Sequence, residues 1–234
     1  MIKTFYESFA NKKKQPALIV KTSGATHSVI DHVECLKKMN YIKGMFPPDW
    51  KLPNVYLLHG DLSNVEMNYL YNHPKVKCMV SFTHGEGFGR PLLEATMTGL
   101  PIIASGWSGQ IDFLNRNKSL LLPGKVQKIP ESAVWEDILI PESQWFEVDT
   151  TIAYKAMNDM FSNYEIHKRK AKSLQEYNKN HFTLKEMVKK LSYIMDMYIT
   201  TETPLTLPKL MKKSESTEKI SLPKLNKLTA DSIQ

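Results

Sequence analysis

The chain predicts an α/β fold, a parallel sheet flanked by helices, and three observations carry that prediction. Short apolar runs of strand character alternate with stretches of helical period, the pattern of strand–helix–strand units. One of those runs, Cys78-Met79-Val80-Ser81-Phe82, passes through a glycine-rich turn directly into an apolar-periodic stretch, Leu92 through Met97. Lys21, Ser23, Gly60, Glu86 and Ser105 all fall at or just after the carboxyl ends of predicted strands. Ligands of open parallel sheets bind at those ends, so the five residues converge on one site.

Taken in order, residues 17–21 (Ala-Leu-Ile-Val-Lys) read as the first strand. Residues 29–42 follow as a helix with an apolar side at Leu36 and Met39, and residues 54–58 as the second strand. Ser63 with Glu66 three residues later forms a capping box ahead of Met67, Leu70 and Tyr71, which starts a helix there. Residues 76–82 are the third strand, 101–105 the fourth and 119–122 the fifth. The segment 123–147 is irregular, with Pro130, Pro141, Trp135 and Trp145; its aromatic content marks an ordered excursion rather than a linker. Helices over 150–162, 165–180 and 183–199 follow. Beyond Thr200 the composition turns to Lys, Ser, Thr, Leu and Pro without aromatics, which predicts a disordered basic tail over 200–234. The tail repeats Leu207-Pro208-Lys209-Leu210 as Leu222-Pro223-Lys224-Leu225. The domain expectation is therefore 1–199 as one folded unit with 200–234 appended.

At 234 residues and 42% apolar the chain has the length and composition of one soluble core with extensions. No stretch approaches the ~20 apolar residues needed to cross a bilayer, and the start lacks the features of a secretory leader. Cys35 and Cys78 are unpatterned and read as free thiols in a reducing cytoplasm. No Cys-x2-Cys occurs and the seven histidines are scattered, so spacing suggests no metal site. The net charge of +7 draws on Lys12-Lys13-Lys14, Lys168-Arg169-Lys170 and Lys189-Lys190. It leaves a peripheral membrane contact open. No nucleic-acid module accompanies it, and nucleic acid is not expected as a partner.

The densest chemistry lies in His84-Gly85-Glu86-Gly87-Phe88-Gly89-Arg90-Pro91-Leu92-Leu93-Glu94. Alternate glycines let backbone approach a ligand closely, and Pro91 suits a first helical turn. The helix N-terminus that follows favours an anion. Glu86 and Glu94 stand eight residues apart, about two turns, flanking that anion position. Hydroxyls on both sides of a diphosphate would satisfy them, as in a nucleotide-sugar. The glycine spacing does not suit the dinucleotide fingerprint, and the loop does not open the first strand–helix unit. Nor do two carboxylates with a phosphate position between them suit glycosidase chemistry.

These residues resemble the Glu-x7-Glu motif of the group-one glycosyltransferases, a large retaining class of GT-B architecture. The segments 98–105 and 107–114 support the resemblance, which extends to about Ile199. It implies a Rossmann-like donor-binding half, with Glu94 on the ribose hydroxyls and Glu86 on the donor sugar. The backbone at Gly85, Gly87, Phe88, Gly89, Arg90 and Leu92 would hold sugar and diphosphate, with His84, Gly60 and Ser23 nearby. Lys21 is the expected positive charge on the diphosphate, and together with Glu86 it is the expected catalytic pair. Asp112 stands where relatives often carry Glu, with helix capping as its other reading. No cofactor or metal is implied beyond the nucleotide-sugar itself. The resemblance also leads one to expect a strand and a basic segment ahead of Ile2 and a separate acceptor-binding half. A split subunit, an internal start and a degenerate copy all fit that expectation. A non-catalytic nucleotide-sugar module and a GT-B-like epimerase are the competing functions.

Overall fold

The computed structural model describes residues 1–22 and 28–199. Contacts divide the chain into Met1–Lys190 and a second unit beginning at Leu191. The α/β prediction holds, with one change in the sheet. Strands β1 (Leu18–Thr22) and β2 (Val55–His59) pair in parallel from Leu18↔Val55 to Thr22↔His59. Strands β3 (Met79–Ser81), β4 (Ile102–Ser105) and β5 (Leu120–Leu122) form a second parallel ladder in the order β3-β4-β5. The expected continuous sheet is thus two sheets, and the break coincides with a short β3. Its predicted beginning is spent in a turn, where the Val76 amide donates to the His73 carbonyl.

A shared core spans the break. Leu18, Val55 and Val80 pack on a cluster that includes Phe5, Phe9, Ile103, Leu122, Met157 and Met160. Helix α1 (Ile2–Phe9) supplies its two phenylalanines at a four-residue spacing, which sets both on one face. Strand β4 is buried along its whole length. Because successive strand residues face opposite ways, Ile103 enters this cluster, while Ile102 and Ala104 enter a second with Leu92, Ala95, Phe113 and Leu174. Burying Ile102, Ile103 and Leu92 contributes about 1.5–3 kcal/mol each, so β4 is the element the site is built around.

The helices follow with small shifts of boundary. Ser28 caps α2 (Val29–Gly44), its hydroxyl accepting from the Asp31 amide at 3.2 Å. Only part of the predicted apolar side of α2 lies on its inner face: no α2 residue is buried, and Leu36 is exposed whereas Met39 is half-buried. The more protected line is Asp31, His32, Cys35 and Met39. Helix α3 (Asn64–Asn72) begins with the predicted capping box: the Glu66 amide donates to Ser63 Oγ and the Ser63 amide to Glu66 Oε2 at 2.7 Å. Helix α4 (Arg90–Met97) ends in a Schellman turn. There the Leu100 amide reaches the Ala95 carbonyl and the Gly99 amide the Thr96 carbonyl, with Gly99 at φ 76°.

The irregular segment is the main correction. It contains an antiparallel pair, β6 (Gly124–Lys128) with β7 (Gln144–Val148). Gly124 is required there, since a Cβ would lie 2.0 Å from the Glu147 carbonyl oxygen. Helices α5 (Thr150–Ser162), α6 (Tyr164–His181) and α7 (Leu184–Tyr198) complete the described chain. No helix among the described residues is long and apolar enough to cross a membrane. The expected tail and its repeat lie outside the described residues.

Candidate functional site

Chain leaving β3 passes through His84 into the loop 85–89 and enters α4 at Arg90. The segment after β4 fixes this loop from beneath. Ser108 Oγ donates to the Glu86 carbonyl at 2.7 Å and accepts from the Glu86 amide at 3.3 Å. The Gly109 amide donates to the same carbonyl at 3.0 Å. Ser108 holds φ 69°, unusual for an L residue, and those bonds hold it there. Gly109 allows the close approach: a Cβ would stand 2.2 Å from the Gly87 carbonyl oxygen. Gln110, wholly buried, donates to the carbonyl and hydroxyl of Ser105 at 3.1 and 2.9 Å. The end of β4 is thereby tied to the turn beneath the loop.

The three motif glycines differ in role. Gly89 takes φ 83° as the cap of α4, and a Cβ would crowd Gln110 at 3.2 Å. Gly87 is exposed, lacks a left-handed φ and has open space where a Cβ would stand. Gly85 is also exposed, with Ser108 Oγ 3.9 Å from its Cβ position. The opening amides of α4 are partly used, because Leu92 and Leu93 both donate to the Gly89 carbonyl. Those of Gly87, Phe88, Gly89 and Arg90 make no backbone hydrogen bond among the described residues. Leu92 itself departs from the expectation: its side chain is 2% exposed in the second core and its amide is spent.

Glu86 is half-buried in the loop. Glu94, one turn beyond Arg90, accepts from Arg90 Nε at 2.7 Å, so the expected ribose-binding carboxylate already has a partner. Beside them stands Tyr71 of α3, in the second core. Burial, and then the charge of Glu94, push its phenol above the ordinary value. Phe88 leaves 41% of its surface exposed and leans on Phe113 at 5.3 Å between ring centroids.

Sequence reasoning missed the second wall. The imidazole of His84 stacks on Trp145 with centroids 3.9 Å apart and planes 5° from parallel. His84 Nδ1 lies 2.8 Å from the Phe146 carbonyl oxygen, and the Phe146 amide returns a bond to the His84 carbonyl at 3.2 Å. A carbonyl only accepts, so Nδ1 carries the proton and Nε2 of the neutral ring is left as an acceptor. Trp107, 44% exposed, stacks on Phe146 at 5.5 Å. The aromatic content of the irregular segment was the signal; its pairing with His84, sixty-two residues away, was not readable.

The remaining candidates divide between the sheets. Lys21 is exposed near the end of β1, and Gly60, with φ 107°, follows β2. Both belong to the β1–β2 sheet, whereas the motif loop follows β3 in the other. Ser23 lies outside the described residues. Asp112 is exposed in a short 3-10 turn, Gly109–Asp112. One cluster with metal-ligand chemistry occurs among the described residues, Asp31, Cys35 and His59, on α2 and β2.

Residues 50–132 match a family model described as glycosyl transferases group 1. The match covers β2 through β6 and includes the loop 85–89, α4 and the Ser108–Gly109 support beneath them. No curated protein matches the chain.

Proposed function

We propose that this chain binds a nucleotide-diphosphate sugar over the loop 85–89 and transfers its sugar, with retention, to an acceptor held by a second half or partner chain. The family match over residues 50–132 supports glycosyl transfer in general. The observation that carries the finer reading is the run of unspent amides from Gly87 to Arg90, rigidly backed by Ser108 and Gly109 and followed by Glu94 on the exposed side of α4.

In this reading the amides and the positive end of the α4 dipole meet the diphosphate. Their contribution grows as negative charge builds on the departing group, which is the condition for lowering the barrier. Glu94 accepts the ribose hydroxyls once Arg90 swings away, and Glu86 holds hydroxyls of the donor sugar. His84 Nε2, an acceptor on a ring fixed by Trp145, orients a further hydroxyl. Lys21 supplies mobile positive charge from the neighbouring sheet. No metal is needed at the diphosphate in this scheme. A basic surface suits an acceptor at an acidic membrane face.

Because Lys21 and the motif stand on separate sheets, a binding module without turnover is the second reading. A thermal-shift series against UDP-, GDP- and ADP-sugars, with Glu94→Ala as control, tests the first step. Saturation at 100 times Kd stabilises by about 2.7 kcal/mol, a rise of roughly 5–10 °C. A rise with one nucleotide series, lost in the variant, supports the donor site; no rise with any sugar overturns it. Donor binding without sugar transfer, in the presence of an acceptor half, favours the second reading.

A further inference from the structure

The inward line of α2 is chemically odd for a helix over a parallel sheet. Helices there normally bury apolar residues, yet α2 turns Asp31 and Cys35, one turn apart on one face, toward the end of β2. His59, the last residue of β2, meets them: its Nε2 is 2.6 Å from Asp31 Oδ2, with side-chain exposures of 9% and 15%. The ligand atoms of Asp31, Cys35 and His59 all lie within 4.8 Å of one another. The His32 ring packs edge-on against His59 at 5.3 Å and steadies its orientation.

We infer that Asp31, Cys35 and His59 supply three ligands of a binding site for a borderline-soft divalent cation of the zinc type. The donor set decides the class of ion. Thiolate and imidazole select zinc-like ions, whereas magnesium and calcium take oxygen ligands almost exclusively. Little movement is required. Tetrahedral bonds of about 2.0–2.1 Å to N and O and about 2.3 Å to S separate ligand atoms by roughly 3.3–3.5 Å. The His59–Asp31 pair opens by under about 1 Å, and the thiol closes by about 1.3 Å at most. On binding, Cys35 gives up its thiol proton to solvent and the cation takes its place. This inference is independent of the donor reading.

Cobalt(II) titration of the full chain, kept reduced with a non-thiol reductant, tests it. A thiolate-to-cobalt absorption band in the near ultraviolet, saturating near one equivalent and erased by zinc, is expected. The chain has only Cys35 and Cys78. Cys78 packs on the first core and burial pushes its thiol up to about 12, so Cys78→Ser keeps the band while Cys35→Ser removes it. His59→Gln weakens binding by at least the ~10- to 100-fold that loss of an outer-shell partner alone costs. Zinc raises the melting temperature of the unsubstituted chain but not of that variant. If Cys35→Ser fails to fold, the band in Cys78→Ser still assigns the sulfur. No band in the unsubstituted chain, or a band lost only in Cys78→Ser, overturns the site and leaves a hydrogen-bonded Asp–His pair.

Discussion

Arg90 and Glu94 are joined one turn apart on α4, Nε to Oε1 at 2.7 Å, with the guanidinium side 74% exposed and the carboxylate 41%. An exposed pair of this kind holds the fold by only about 0.2–1 kcal/mol. It therefore acts as a latch on the carboxylate more than as a strut. In the proposed donor site, a ribose hydroxyl pair would displace Arg90 before reaching Glu94.

The first prediction follows from that weakness. Glu94→Ala shifts the melting temperature by no more than about 4 °C, yet removes measurable donor binding. Arg90→Ala is equally benign to the fold and leaves affinity within about tenfold, because in the proposed site its backbone amide, not its side chain, meets the ligand. Calorimetric titration with matched melts reads both. Unchanged affinity in Glu94→Ala removes the carboxylate from the site.

The loop glycines give the second prediction, through opposite responses to one methyl group. Gly87 has open space around a would-be Cβ and no left-handed φ, so Gly87→Ala keeps or slightly raises stability, by up to about 1 kcal/mol. Its donor affinity nonetheless falls, since in the proposed site the methyl stands where the ligand approaches. Gly109→Ala drives a Cβ against the Gly87 and Glu86 carbonyl oxygens. It costs about 1–3 kcal/mol in a denaturant titration. Equal stability loss in both variants would show that Gly87 is confined by the fold, not kept clear for a ligand.

Local signals were legible and distant pairings were not. Ser63 and Glu66 announced the start of α3 because both partners of the capping box lie within four residues. The short run that makes β4 and the glycine turn into α4 were equally local. Strand β6, by contrast, exposes Lys125 to Lys128 and shows no apolar alternation. It is a strand because β7 pairs with it, and Pro130 and Pro141 in the connection mask that pairing. The break between β2 and β3 and the Asp31–Cys35–His59 cluster have the same origin. Each depends on where two elements dock, which spacing alone does not encode. The burial of Leu92 was not legible either, for it is a fact of packing with Phe113 and Leu174.

The third prediction concerns the wall formed by His84. His84→Ala removes a stacked ring contact with Trp145 and the bond to the Phe146 carbonyl, together about 1–3 kcal/mol. The loss falls on the β6–β7 pair first. Hydrogen exchange should quicken at the Phe146 amide while amides of β4 remain protected. Unchanged exchange at the Phe146 amide would mean the hairpin is held by its own pairing, with no contribution from His84.

The last prediction is a pH dependence away from the motif. Asp159 Oδ1 accepts from Asn163 Nδ2 at 2.7 Å, and its Oδ2 lies 2.8 Å from His167 Nε2. The Asn163 bond, then the bond to His167 and its charge, with Lys170 adding last, hold the carboxyl below its ordinary value against a smaller opposing effect of burial. Glu66 is lowered likewise by the Ser63 hydroxyl and amide. A carboxylate depressed in the folded chain binds its proton more readily when unfolded. Its stabilisation is fully present above the unfolded value, roughly pH 4, and is lost as pH falls from there through the folded value. Asp159 is 45% exposed, so solvent screens the effect and the change is modest. Melting temperatures taken from pH 7 down to pH 3 should fall most steeply below about pH 4.5. In Asp159→Asn that acid-limb slope is shallower, while the neutral-pH melting point drops. An identical acid limb in the variant would mean that Asp159 titrates alike in the folded and unfolded chain.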